Sequence, residues 1–415
     1  MHEKQSLPHV LRAESFKGGV TVDSNPPDEY TDPFATAERI ALRRTVRQFV
    51  EKEVVPNLDR WENDREIPRS LHKSAAALGL LGIGFPEEVG GEGGTAIDSI
   101  VVAEELLYAG GSSGLQAGLF THGIALPHIV SANDPDLIDR YVRPTLAGEL
   151  IGALGVTEPD GGSDVASLRT TARRDGDDYI VDGAKTYITS GVRADFVTTA
   201  VRTGGQGYGG VSLLVIDRAT PGFTVTRKLE KLGWHCSDTA ELGFTECRVP
   251  ATNIVGEVDG GFRLLMEQFQ NERIALAVVA YATAQRALDL TVEWAKLRET
   301  FGRPLIGRQV VQHKLVEMAQ AVEVARAFTR HVALRAAAGE ILVPQVCMAK
   351  NQATDACTFV VDQAVQLHGG LGYMHGTEVE RHYRDSRILP IGGGAREVMA
   401  DLAAKSLGYS ASRSA

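Results

Sequence analysis

The sequence predicts an α+β protein in three successive parts: a helical segment, a β module and a second helical segment. Three observations carry this. Apolar residues recur at helical spacing from Ala37 onward, short β-branched runs fill the stretch from Asp178 to Val249, and helical patterns return after Gly260 and Gly261. The chain has 415 residues, 43% hydrophobic and 23% charged, enough for two or three domains with a sizeable core.

Residues 1–35 are polar, with prolines at 26, 27 and 33, and read as a mobile tail. An N-terminal helical domain follows at 36–150. In its first helix Leu42, Val46, Phe49, Val50 and Val54 fall three or four residues apart, and Pro56 lies just beyond. Further helices are expected around 70–80, 97–109, 117–131 and 135–147, separated by glycines at 90–94 and by Gly110, Gly111 and Gly114. A middle β domain spans 151–258. Its strands read as YIVDG, TYITS, FVTTAVR, VSLLVID, FTVTRK and ELGFTECRV, punctuated by Gly, Pro and Asp. The C-terminal helical domain, 259–415, opens with a long helix from about Phe262 to Arg298. Its apolar run Ile274–Ala284 marks a helix buried on most sides.

Composition excludes several classes. A formal charge of −10 argues against a general nucleic-acid binder, which needs a concentrated basic surface. The four cysteines, Cys236, Cys247, Cys347 and Cys357, form no C-x-x-C pair, so a disulfide framework or structural zinc is not expected and a reducing compartment is. No apolar run reaches the length of a membrane span, and the N-terminus lacks an apolar signal core, which together point to the cytoplasm.

The 44 glycines exceed the roughly 29 that average usage of about 7% would give. A formal dinucleotide fingerprint occurs at Gly205, Gly207 and Gly210, but a strand precedes it and another follows. That motif needs a helix after it, so a β-hairpin loop is the reading here. The run Val156-Thr-Glu-Pro-Asp-Gly-Gly-Ser-Asp164 has adjacent glycines flanked by hydroxyls, suited to a ligand or to a plain connector. Gln366-Leu-His-Gly-Gly-Leu-Gly-Tyr373 follows a helix. Gly392, Gly393 and Gly394 precede the final helix, where bare N–H groups suit an anion or a polarised carbonyl, or form a loose hinge. His368, His375 and His382 are seven apart, an interval that does not suit metal ligands on one helix face, and no metal is expected. Glu272 lies on the long helix in an apolar stripe with Leu265, Phe269, Leu276 and Val279. A carboxylate there is costly unless paired or used. It suits a general base with a raised pKa, or a salt bridge to another helix or to Arg273.

At these residues the sequence resembles the acyl-CoA dehydrogenase family, over roughly 36–411. The carriers are VTEPDGGSD at 156–164, TYITSG at 186–191, RETFGRPL at 298–305, QLHGGLGY at 366–373 and YRD at 383–385. The resemblance implies a β-barrel-like middle domain, a four-helix-bundle C-terminal domain, and FAD as cofactor. It places Val156, Thr157, Gly162, Ser163, Tyr187, Ile188 and Thr189 at the flavin ring and ribityl chain. Arg298, Phe301, Gln309, Gln366, Leu367, His368, Gly369 and Gly370 would meet the adenine-diphosphate half of an FAD bound mainly by a neighbouring subunit of a homotetramer. Ala395 and Glu397 would also touch the cofactor, and Ser163, Gln270, Arg273 and Gly394 the acyl-CoA.

One departure directs the reading. Many members carry their catalytic glutamate in a Tyr-Glu-Gly-Thr motif after the Arg-Asp pair, whereas this chain has Gly392-Gly393-Gly394-Ala395. A minority, resembling isovaleryl-CoA and long-chain acyl-CoA dehydrogenases, place the base in a Glu-Arg pair on the long helix, and Glu272-Arg273 stands there. The resemblance therefore implies that Glu272 takes the α-proton of an acyl-CoA while a hydride leaves the β-carbon for flavin N5. The Gly393 N–H would stabilise the thioester oxygen, and electrons would pass to an electron-transferring flavoprotein, as in fatty-acid β-oxidation. Two alternatives remain open on sequence: a flavin oxidase or monooxygenase of the same fold, and a non-catalytic FAD-binding subunit. Small residues in Gln116–Pro127, including Gly118 and Gly123, are expected to line the acyl-tail pocket.

Overall fold

The computed structural model describes residues 32–409. The expected mobile tail lies outside the described residues up to 31. By Pro33–Ala35 the chain is already anchored, with Phe34 buried under the Arg330 guanidinium, 4.4 Å from the ring centroid. The first helix, Ala37–Phe49, starts at a Thr36 cap whose side chain accepts from Arg39 N. It continues as one π turn, Val50–Val54, and the predicted stripe Val46, Phe49, Val50 and Val54 is buried. Helix Ala96–Tyr108 opens on a Thr95/Asp98 capping box and lies against both the first helix and the long helix. The pattern at 117–131 resolves into three short helices, Ser113–Leu119, His122–Ala125 and Pro127–Ala132.

The middle domain is one eight-stranded sheet: β1 Gly152–Gly155, β2 Thr171–Asp175, β3 Asp178–Thr189, β4 Phe196–Arg202, β5 Val211–Asp217, β6 Phe223–Lys228, β7 Thr239–Pro250 and β8 Ile254–Val255. The order is β6-β7-β3-β2-β4-β5-β8, with β1 pairing parallel to β4. The sheet bends around its own core. Tyr179, Val181, Leu242 and Phe244 on one side meet Val197, Val201, Leu214 and Ile216 on the other. The opposite faces of β4 and β5 carry Phe196, Ala200, Val211, Leu213 and Val215 into a second cluster shared with Leu264 and Leu265. Burial on both faces is why VSLLVID reads as a continuous apolar run rather than an alternation. Residues 204–210 connect antiparallel β4 and β5 as a hairpin loop. YIVDG and TYITS are parts of the single strand β3, which absorbs the Asp182-Gly183 turn signal as an irregularity in its pairing with β7.

The C-terminal domain packs the long helix, Gly261–Leu297, against Gln309–Ala337 and Val343–His368, with Arg396–Ser406 on the last of these. Residues Ala277–Ala284 are buried without interruption, and the many alanines let neighbouring helices approach on every side. Tyr281 donates to Glu104 Oε1 at 2.6 Å and Arg330 pairs with the same carboxylate at 2.7 Å, so a buried charge is met. Three domains join at one knot: Arg384 pairs with Glu62 at 2.6 Å, and Asp385 accepts from Trp234 N at 2.6 Å. Among the described residues no helix is long and apolar enough to cross a membrane.

Candidate active site

Glu272 sits where the long helix passes from one core to another. Leu265 and Phe269 belong to the cluster shared with the sheet, whereas Leu276 and Val279 belong to the cluster shared with the bundle. The helix is only partly covered between them, and Glu272 is half-buried at that gap. Among the described residues it has no ion-pair partner, so the salt-bridge reading of this carboxylate finds no support. Burial pushes its pKa above the ordinary glutamate range, with Arg273 and Lys350 opposing.

The Gly392–Gly394 turn faces this carboxylate. A Cβ built on Gly393 would stand 3.5 Å from Glu272 Oε1 and well inside 3.0 Å of Leu276 Cδ1. Gly393 has φ +63 and Gly394 φ +100, conformations that suit glycine. A side chain at 393 would strain the backbone and require Leu276 Cδ1 to move aside, while Glu272 reaches the same space from the helix. Arg273, buried, reaches Gly393 O from Nε at 3.4 Å and stacks its guanidinium 5.8 Å from the Phe269 ring centroid. Gln270 keeps a buried Oε1 without a hydrogen-bond partner among the described residues. Ala395 caps the final helix beside the turn, and Glu397 is exposed on that helix's first turn.

The predicted flavin-ring residues gather on one side of the sheet. Val156 packs on the same cluster as Phe269, one helical turn before Glu272. The 156–164 loop is stitched to β3: Thr186 N donates to Thr157 O at 2.9 Å, and Lys185 Nζ donates to Val156 O at 3.1 Å. Lys185 also pairs with Glu158 at 2.7 Å, both buried, and Glu158 accepts from Arg169 N and Thr170 N. A second irregularity in β3 puts Tyr187 at φ +59, so its ring stands 70% exposed from the sheet. The Ile188 side chain turns into the sheet core, leaving only its backbone to meet a ligand. A Cβ at Gly161 would meet nothing within 4 Å, and at Gly162 only Thr157 at 3.8 Å. The chain's own packing therefore does not demand these glycines, and the open cradle with Thr157 and Ser163 beside it fits a flavin.

A second set lies elsewhere. Arg298 is 26 residues beyond Glu272 on the long helix, about 39 Å at 1.5 Å per residue. It ends the helix next to the hairpin that carries Phe301, and Gln309 opens the next helix. His368 stacks on Trp294 at 5.4 Å, and Trp294 Nε1 donates to Leu367 O, fixing the Gln366–Gly370 segment against the long helix. Gly370, too, has nothing near its Cβ position. One chain does not bring this set to Glu272.

Two elements escaped the sequence reading. The Lys185–Glu158 pair is one. The other is Lys350, fully buried, whose Nζ donates to Gly392 O at 2.8 Å and Gly394 O at 2.6 Å. The signal was available: Lys350 lies in the stripe Val346, Ala353, Cys357 and Val360, just as Glu272 interrupts its own stripe.

Comparison with known proteins accounts for most of the chain. Three family models match in order: Acyl-CoA dehydrogenase, N-terminal domain over 36–149, middle domain over 153–247 and C-terminal domain over 259–408. The chain is 34% identical to the long-chain specific acyl-CoA dehydrogenase, mitochondrial, of Sus scrofa, over 97% of this chain and 94% of that protein. A crystal structure of a probable acyl CoA dehydrogenase from Mycobacterium abscessus is 63% identical with a TM-score of 0.90, covering 90% of this chain and 100% of that one. A glutaryl-CoA dehydrogenase from Mycobacterium smegmatis in complex with FADH2 is 27% identical with a TM-score of 0.86, covering 92% and 98%.

Proposed function

This chain belongs to the acyl-CoA dehydrogenase family, and on that premise we propose that it converts an acyl-CoA thioester to the 2-enoyl-CoA with Glu272 as the base. It is a flavin-dependent oxidoreductase whose cofactor is FAD. One observation carries the assignment of the base. The Glu272 carboxylate and the Gly393 backbone lie against each other, with 3.5 Å between Oε1 and the place a Cβ would occupy. The α-carbon of a thioester is bonded to its carbonyl carbon, so base and carbonyl donor must be close neighbours.

The Gly393 N–H donates to the thioester oxygen and acidifies the α-carbon. Glu272, its pKa raised by burial, accepts the α-proton. Phe269 and Leu276, one turn to either side of Glu272 on the long helix, flank the carboxylate with apolar surface. Bound FAD supplies the acceptor for the β-hydride at N5. We assign Ser163, Gln270, Arg273 and Gly394 to holding the acyl-CoA.

We assign the electrons to an electron-transferring flavoprotein and the assembly to a homotetramer with FAD sites shared between subunits. The 39 Å or so between Glu272 and Arg298 supports sharing. So does the outward display of Phe301 at 98%, Tyr373 at 83% and Leu297 at 77% exposure, side chains that a neighbouring subunit would cover. All four cysteines are free and buried, which supports a reducing compartment, and the cytoplasm is our proposal. The test is anaerobic titration with acyl-CoAs of different length and branching, following flavin bleaching and 2-enoyl-CoA by mass spectrometry. Failure of every acyl-CoA to bleach the flavin would overturn the dehydrogenase reading. Turnover sustained by oxygen alone would favour an oxidase.

A further inference from the structure

Lys350 is buried to 0% exposure in the middle of helix Val343–His368. Taking an ammonium out of water costs several kcal/mol unless a charge partner compensates. Among the described residues Lys350 makes no ion pair, and its recorded hydrogen bonds go to the carbonyls of Gly392 and Gly394. A methionine would fill the same space without the desolvation cost but would leave both carbonyls without this donor. What the buried ammonium does here is hold those two carbonyls of the glycine turn.

We infer that Lys350 is a positioning residue for the reaction: its ammonium clamps the Gly392–Gly394 turn so that the Gly393 N–H faces the thioester oxygen. This rests on the acyl-CoA dehydrogenation proposed above. Every peptide bond among the described residues is trans, so the N–H of Gly393 points opposite to the Gly392 carbonyl. Holding that carbonyl toward Lys350 aims the amide away from it. Arg273 does the same for the next peptide by taking Gly393 O. Among the described residues the amides of Gly393 and Gly394 have no acceptor, whereas Gly392 N donates to Ile388 O.

The clamp answers a need created by the sequence. Three consecutive glycines have more backbone freedom than any other tripeptide, and a donor that wanders does not stabilise a developing charge. Hydrogen bonds to a cation fix the turn where side-chain sterics cannot. They also polarise the two peptides, which strengthens their N–H groups as donors.

The experiment compares FAD-loaded wild type with Lys350→Met, Lys350→Gln, Lys350→Arg and Glu272→Gln. Two quantities are read: the limiting rate of anaerobic flavin reduction by acyl-CoA, and calorimetric affinity for a 3-oxoacyl-CoA, which binds as its enolate, against a 2-enoyl-CoA. Lys350→Met is expected to lower the limiting rate about 10- to 100-fold with KM little changed. It should weaken 3-oxoacyl-CoA by a similar factor and 2-enoyl-CoA by less than about threefold, with Lys350→Arg recovering part of both losses. If the Met variant loses FAD, Lys350→Gln against Lys350→Arg gives the same contrast of neutral and charged donor. A wild-type rate in the neutral variants, or equal weakening of both ligands, would overturn the inference. In that case a slow Glu272→Gln would leave the assignment of the base standing. Wild type that no acyl-CoA reduces would overturn both.

Discussion

Replacing Gly393 by alanine adds one methyl group where the account places the carbonyl donor. That methyl would lie inside 3.0 Å of Leu276 Cδ1, whereas carbon atoms rest at about 3.5–4.0 Å, so something must move by roughly 0.5 Å or more. The residue also holds φ +63, which costs a non-glycine about 1–2 kcal/mol. Overpacking adds about 1–3 kcal/mol, so retaining the turn unchanged costs about 2–5 kcal/mol in all. The cheaper response is a shift of the turn, and displacement of a catalytic group by about 1 Å costs about 10²-fold in rate. Gly393→Ala should therefore bind FAD, melt at a lower temperature, and show flavin reduction by acyl-CoA about 10²-fold slower in anaerobic stopped flow. Leu276→Ala in the same chain should return part of the rate, because it removes the collision but not the φ cost. A Gly393→Ala enzyme within about threefold of wild type would refute the aimed donor.

Lys185→Met leaves the Glu158 carboxylate buried without its cation; it should lose about 3–5 kcal/mol in denaturant unfolding and retain FAD less well in equilibrium dialysis. Burial lowers the pKa of His72 to about 3 and of His122 and His128 to about 4, while the unfolded chain titrates them near 6.5. Their contribution is complete above that pH and is lost as pH falls toward 4, at up to about 1.4 kcal/mol per pH unit for each, so melting temperature should drop steeply across that window. Phe301→Asp changes a side chain that is 98% exposed in the single chain, so sedimentation velocity should show smaller assemblies with less FAD, while far-UV circular dichroism stays unchanged.

The helix–sheet–helix plan was legible because each part carries its own period. Val46, Phe49, Val50 and Val54 are buried as their spacing requires. β1 and β2 were not legible. Gly152–Gly155 is four residues with a glycine at each end, and Thr171–Asp175 is mostly charged with only Ala172 buried, so neither has strand alternation; β1 is held by its parallel partner β4 and β2 by antiparallel β3. The helix expected at 117–131 breaks near Phe120 and again before Pro127, whose missing N–H suits a first-turn position. Glu272 was legible as a carboxylate in an apolar stripe. Lys350 interrupts a stripe in the same way, yet its partners are backbone carbonyls 42 and 44 residues away, and no side-chain pattern encodes those.

The central claim is that Glu272 takes the α-proton. Its most direct test is the anaerobic, single-turnover reduction of bound FAD in Glu272→Gln, with a 3-oxoacyl-CoA titration to verify that the substrate site is intact. Glutamine keeps the size of the side chain and removes its basicity. The account predicts reduction slower by about 10²- to 10⁴-fold with binding preserved. Reduction within about threefold of wild type would contradict it.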